Sequence, residues 1–158
     1  MHKKQGFSII EIIISSALIA IAIVGIITAV NVFFAVSVKN TNQAQAALLL
    51  EETAEILQYL RDDTWTGNFS NASTNIGYHL DWNGTDYSTT TIPVLVNGKF
   101  SRIFDLDVVN RDSDDDIVAF GGTVDPDTYL VNVMISWDEK DGTKSVSSEF
   151  LIHNVYQN

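Results

Sequence analysis

From Ile12 to Val38 the chain runs without one Asp, Glu, Lys or Arg. A helix of that length covers roughly 40 Å at about 1.5 Å per residue, more than the ~30 Å of bilayer hydrocarbon. Gly25 and the polar Ser15, Ser16, Thr28 and Asn31 interrupt the run, but none of them stops a helix and the run has no Pro. The segment can therefore span a membrane. A secretory signal has an apolar core of only about 7–15 residues before a small-x-small cleavage site. The run is about twice that length, and Ala35-Val36-Ser37 is a late, poor match to such a site. Lys3 and Lys4 precede the run and the rest of the chain is acidic, so the positive-inside rule predicts a cytoplasmic N-terminus. Everything after about Lys39 then faces outside.

Composition narrows the function. The chain has 158 residues, 46% of them hydrophobic and 18% charged, which suits one folded domain with an appendage. Twenty acids against nine Lys plus Arg give a formal net charge of -11. That balance speaks against a direct grip on nucleic acid and against a basic patch for anionic lipid headgroups. Without Cys there is no disulfide framework, thiolate metal site or cysteine nucleophile. His2, His79 and His153 are too scattered to suggest a zinc site. No nucleophile elbow or phosphate-binding Gly loop occurs, so catalysis has no support.

One residue at the head of the run is out of place in a plain anchor. Glu11 follows Phe7, Ser8, Ile9 and Ile10, and a carboxylate at membrane depth costs up to ~3 kcal/mol unless it has a partner. Lys3-Lys4-Gln5-Gly6-Phe7-Ser8-Ile9-Ile10-Glu11, followed by the apolar run, resembles the class III signal of type IV prepilins and pseudopilins. The resemblance covers the leader and the apolar run, as far as about Lys39. It implies cleavage between Gly6 and Phe7 by a prepilin peptidase, which also methylates the new Phe7 amine. It implies assembly with other pilin or pseudopilin subunits after residence in the inner membrane, and it makes Glu11 the family's glutamate.

The physics suits that implication. Cutting before the apolar segment keeps the segment as the assembly element. An amine on Phe7 is a cation that Glu11 of a neighbouring subunit can neutralise, and opposite charges within ~4–6 Å favour each other's charged form. A one-turn slip would leave a buried carboxylate alone, so the pairing also fixes register. The alternative is a capping carboxylate that favours the positive end of its own helix, and the two roles are compatible.

Residues 41–61 remain helix-forming but turn amphipathic. Leu50, Ala54, Leu57 and Arg61 form a stripe flanked by Leu49, Ile56 and Leu60, with Glu51, Glu52 and Glu55 opposite as a solvated face. The resulting division is a leader at 1–6, a long helix at 7–62 whose membrane and assembly segment is 7–38, and an exported globular β domain at 63–158. Many major pilins kink this helix with a Pro; here only Gly25 stands in its apolar half.

After Asp63 the residues change to turn and strand formers. Residues 65–75 read as an irregular crossing. They contain the triplets beginning at Asn68 and Asn71, and a third begins at Asn83; all match the glycosylation pattern, and in a chain rich in Asn and Ser chance produces such matches more often than function does. Strands are predicted at 76–82, 86–96, 100–109, 128–138 and 144–155. Tyr129, Val131, Val133, Ile135 and Trp137 make one apolar face able to cover the helix, and Asp141-Gly142 marks a hairpin. The fold class is α+β: a long N-terminal helix packed on a C-terminal antiparallel meander.

Phe100-Ser-Arg-Ile-Phe, Asn110-Arg-Asp, Asp125-Pro-Asp-Thr and Val133-Met-Ile-Ser-Trp137 resemble segments of minor pilins and minor pseudopilins. The closing strand, with Glu149-Phe-Leu-Ile152, departs from the usual ending. Asp112, Asp114 and Asp116 have the alternating spacing of calcium loops, although Ile117 and Thr123 stand where an EF-hand needs Gly and Glu. They are candidate ligands of a looser structural calcium site, set against a solvated turn; no other cofactor is implied. The combined reading is a structural, minor pilin-like filament subunit. Its rivals are a minor pseudopilin of a type II secretion system and a simple membrane-anchored binding domain. The sequence leaves open whether a pilus, a secretion machine or a DNA-uptake system is served.

Overall fold

A computed structural model describes residues 8–70 and 72–155. The chain divides into two compact units, Met1–Asn42 and Gln43–Asn158, and one helix, α1 (Ile9–Asp63), contributes to both. Its 55 residues agree with the predicted long helix to within a residue or two at either end.

In the first unit α1 is apolar on every side. Its hydroxyls are turned onto its own backbone: Ser16 Oγ donates to Ile13 O at 2.9 Å and Thr28 Oγ1 to Val24 O at 2.9 Å. Such back-bonding satisfies the hydroxyls without water, which an apolar surrounding demands.

In the second unit α1 becomes amphipathic and supplies the core. Ala46, Thr53, Ile56, Leu57 and Leu60 are buried, at spacings of 7, 3, 1 and 3 along one helical face. The predicted stripe is therefore rotated slightly. Leu49 and Leu50 are only half-buried, and Arg61 turns outward to an ion pair with Asp62 at 2.8 Å. Thr53 takes a central place because its hydroxyl donates to Leu49 O at 2.6 Å, so its outer surface is effectively a methyl. The crossing at 65–75 is more ordered than its composition implies. It holds a short helix, α2 (Trp65–Asn68), N-capped by Thr64. Trp65 stacks between Phe69 at 5.2 Å and Tyr129 at 5.8 Å, and these buried rings anchor the segment.

Among the described residues seven strands follow: β1 (His79–Trp82), β2 (Tyr87–Thr90), β3 (Leu95–Val96), β4 (Phe100–Arg111), β5 (Ile117–Val118), β6 (Thr123–Glu139) and β7 (Gly142–His153). β1 and β2 form a hairpin of their own. The main antiparallel sheet has the order β3-β4-β6-β7, with β5 also pairing β4. The single strand predicted over 86–96 is thus two, in different sheets; Pro93 falls in the break, where its missing N–H cannot serve a ladder. The β6–β7 hairpin turns through Lys140-Asp141, and Gly142, at φ +118, opens β7 opposite Glu139.

The predicted apolar face of β6 is the one that packs on α1: Tyr129, Val131, Val133, Ile135 and Trp137 are all buried. Phe100, Phe104 and Leu106 of β4, Leu80 of β1 and Ile152 of β7 complete the core. Three short segments protect the free side of β4: β3 beside Phe100 and Ser101, Tyr78 bridged to Phe104, and β5 beside Asn110 and Arg111. Short pieces of this kind blunt an edge that would otherwise recruit another strand.

The acidic face of α1 also needs correction. Glu51 and Glu55 are exposed as predicted, but Glu52 is not simply solvated. Its Oε1 accepts from Arg102 Nη1 at 3.1 Å and from Tyr87 Oη at 3.3 Å. Arg102 points to the helix from the inward face of β4, its side chain only 6% exposed. A cation placed there would be stranded without Glu52.

Candidate assembly site

The candidate site is the start of α1. Ser8 precedes the helix, and its carbonyl accepts the N–H groups of Glu11 at 3.0 Å and Ile12 at 3.2 Å. Ser8 therefore stands at the N-cap with Glu11 three residues on, the spacing of a capping box. Ser8 was not singled out from the sequence, although the Ser-x-x-Glu pattern ahead of an apolar run is its signal. Gly6 and Phe7, between which the resemblance places cleavage, lie outside the described residues.

Around Glu11 the surface is aliphatic and uncovered. Ile9 is 78% exposed and Ile10 66%, and the exposed stretch continues past Phe33 and Phe34 to Val38. Among the described residues α1 is the helix long and apolar enough to cross a membrane, and no part of its most apolar 18-residue window is buried. Among the described residues nothing covers this surface. Burying aliphatic area gains roughly 25 cal/mol per Å², so bilayer or neighbouring helices are strongly favoured as its surroundings. A carboxylate set one turn into such a segment is an anionic handle at a fixed height. It suits pairing with a cation on another chain.

The proposed calcium residues are arranged otherwise. Asp112, Asp114 and Asp116 are all exposed in the turn between β4 and β5. Asp112 Oδ1 is taken by the N–H groups of Asp114 and Asp116, each at 3.0 Å, and Asp115 adopts φ +67 to close the loop. The carboxylate that leads the motif thus caps its own turn. Among the described residues no three His, Cys, Asp or Glu side chains are placed to hold a metal ion. Asp105 and Asp107 sit elsewhere, both accepting from Asn132 Nδ2 at 3.0 Å. Asp125 is engaged by Arg111 at 2.7 Å.

The family model of the prokaryotic N-terminal methylation motif matches residues 1–29. This chain carries the class III signal of type IV pilins. The matched segment takes in Gly6, Phe7 and Glu11 together with the opening turns of α1. The long apolar helix α1 begins within the matched segment, and the two together fit membrane anchoring of a precursor. No curated protein and no solved structure matched the chain. The β domain is accordingly characterised by its own geometry, and the class III signal speaks for the N-terminal segment.

Proposed function

We propose that the chain is a minor pilin-like structural subunit of a type IV filament. It enters the inner membrane as a precursor with its N-terminus in the cytoplasm. A prepilin peptidase cuts after Gly6 and methylates the amine of Phe7. The subunit then leaves the bilayer by packing α1 among the helices of other pilins, Glu11 pairing with a neighbour's N-terminal amine. The observation that carries this reading is a methylation motif heading a helix whose most apolar 18-residue window is nowhere buried among the described residues. Leaving a bilayer for a bundle of like helices exchanges one apolar surrounding for another, so the transfer is tolerable only if Glu11 finds its partner.

The lack of a helix-kinking Pro in the apolar run and the segments resembling minor pilins favour a minor over a major subunit. A minor pseudopilin of a type II secretion system shares every physical element and is the second reading. Residues 43–158 carry six Lys and Arg against nineteen acids, which makes direct DNA capture by this subunit unfavourable. The test is incorporation into sheared filaments from cells that express the chain with its partner pilins. Glu11→Ala should leave cleavage intact and reduce incorporation at least tenfold, while Glu51→Ala should leave both unchanged. Normal incorporation of Glu11→Ala would refute the pairing.

A further inference from the structure

The chain contains three Asn-x-Ser/Thr triplets, beginning at Asn68, Asn71 and Asn83, and the fold treats them differently. In Asn68 the side-chain nitrogen is committed: Nδ2 donates to Leu60 O at 2.8 Å from a half-buried position. Asn71 lies outside the described residues. Asn83 stands at the tip of the β1–β2 hairpin, just beyond the cross-strand pair Trp82 and Tyr87, whose rings lie 4.7 Å apart. Its Oδ1 accepts the N–H groups of Thr85 at 2.9 Å and Asp86 at 3.0 Å, forming an Asx turn. Every residue from Asp81 to Asp86 is exposed, and a Cβ built on Gly84 would meet nothing within 4 Å. Among the described residues neither Asn83 Nδ2 nor the Thr85 hydroxyl makes a hydrogen bond.

We infer that Asn83 is an N-glycan acceptor, with a polyprenyl-pyrophosphate-linked oligosaccharide as the donor class. The carboxamide nitrogen is a weak nucleophile until it gives up a proton. The two N–H groups on Oδ1 stabilise the negative charge that builds there as the proton leaves, in the manner of an oxyanion hole. Nδ2 then bonds to C1 of the first sugar while the C1–O bond to the pyrophosphate breaks. The lipid pyrophosphate departs with that electron pair, and the amide proton passes to the transferase. Asp81, two residues earlier, offers a carboxylate by which a basic transferase groove can hold the hairpin. Trp82, 52% exposed, presents a ring face against which the first sugar can stack.

In the cell this inference rests on the proposed export of the β domain, because such donors are used on the outer membrane face. The test is therefore reconstituted, so that membrane orientation plays no part in it and its failure counts against the acceptor alone. The full-length chain in detergent is incubated with a single-subunit bacterial oligosaccharyltransferase and an undecaprenyl-pyrophosphate-linked oligosaccharide, and intact mass is recorded. The expected product is heavier by one glycan. Asn83→Gln and Thr85→Ala should abolish the increment, whereas Asn68→Gln, Asn71→Gln and Thr85→Ser should retain it. No increment on the wild-type chain, or one that survives Asn83→Gln, would overturn the assignment.

Discussion

Arg111 Nε lies 2.7 Å from Asp125 Oδ2, joining the end of β4 to the point where β6 departs from regular pairing. The register steps from Val108↔Tyr129 to Val109↔Asp125, so three residues of β6, Pro126, Asp127 and Thr128, are skipped in its pairing with β4, although Thr128 still pairs with His153 of β7. The bulge is tied on both sides. Asp125 Oδ1 accepts the Asp127 N–H at 2.9 Å, and Asn154 donates to Asp127 through its N–H at 2.9 Å and its Nδ2 at 3.1 Å. Two of the short segments quoted from the sequence, Asn110-Arg-Asp and Asp125-Pro-Asp-Thr, are thus the two halves of one contact.

That contact sets an acid limit on the domain. Burial alone would raise the Asp125 carboxyl, but hydrogen bonds from Arg111, Thr128 and the Asp127 N–H outweigh it and hold the group below the usual carboxylate range. A depressed folded value contributes stability above the unfolded value of about 3.9, lost as pH falls through the folded one. Thermal unfolding followed between about pH 2 and pH 6 should lose part of its acid slope in Asp125→Asn. An unchanged slope would remove Asp125 from the account of acid lability.

Arg102 gives an ordering that plain charge counting would miss. Its side chain is 6% exposed and its Nε is buried without a partner, while Glu52 is 44% exposed. Removing Glu52 leaves the cation buried, a loss of about 1–3 kcal/mol with solvent still reaching the site. Replacing Arg102 by Met removes the cation itself. Denaturant melts should therefore rank Glu52→Ala as more damaging than Arg102→Met, with Glu51→Ala and Glu55→Ala near wild type. The reverse ranking would mean that the pair contributes little.

The loop between β5 and β6 separates two glycines that the sequence makes look equivalent. Gly121 and Gly122 have φ +78 and +74, but a Cβ on Gly122 would fall 2.4 Å from Arg111 O, whereas one on Gly121 meets nothing within 4 Å. Gly121→Ala should cost about 1 kcal/mol from its backbone conformation. Gly122→Ala should cost distinctly more, because backbone must move. Equal midpoints in chemical unfolding would contradict the close approach.

On α1 the same residue type has two different roles. Leu57 is fully buried and Leu48 is 64% exposed. Leu57→Ala should destabilise the domain by about 2–5 kcal/mol, and Leu48→Ala by less than about 0.5 kcal/mol. A large stability loss at Leu48 would show that this face packs within the subunit and not against others.

How far the sequence revealed all this follows from which signals are local. The uncharged run from Ile12 to Val38 and the strict alternation from Tyr129 to Trp137 each report directly on an element, and both were legible. Glu11 stood out for a local reason too, since a carboxylate heading an apolar helix is costly without a partner, and the fold places it in the first turn of α1. The pairings Glu52–Arg102 and Arg111–Asp125 bring together residues 50 and 14 positions apart, which only the register of β4 against α1 and β6 decides. Thr53 escaped because its polarity is cancelled by a backbone acceptor one turn away. At the acidic turn of Asp112 the sequence could not choose, because alternate Asp residues suit both a calcium loop and a self-capped turn. In the fold two backbone N–H groups of the turn engage Asp112 Oδ1.

The most direct test of the central claim is the mass of the N-terminal peptide of the chain isolated from its native membrane. The account predicts a peptide that begins at Phe7 and is heavier by one methyl group. A chain that keeps Met1 to Gly6 in the presence of the prepilin peptidase, or one that begins near Lys39, would contradict it.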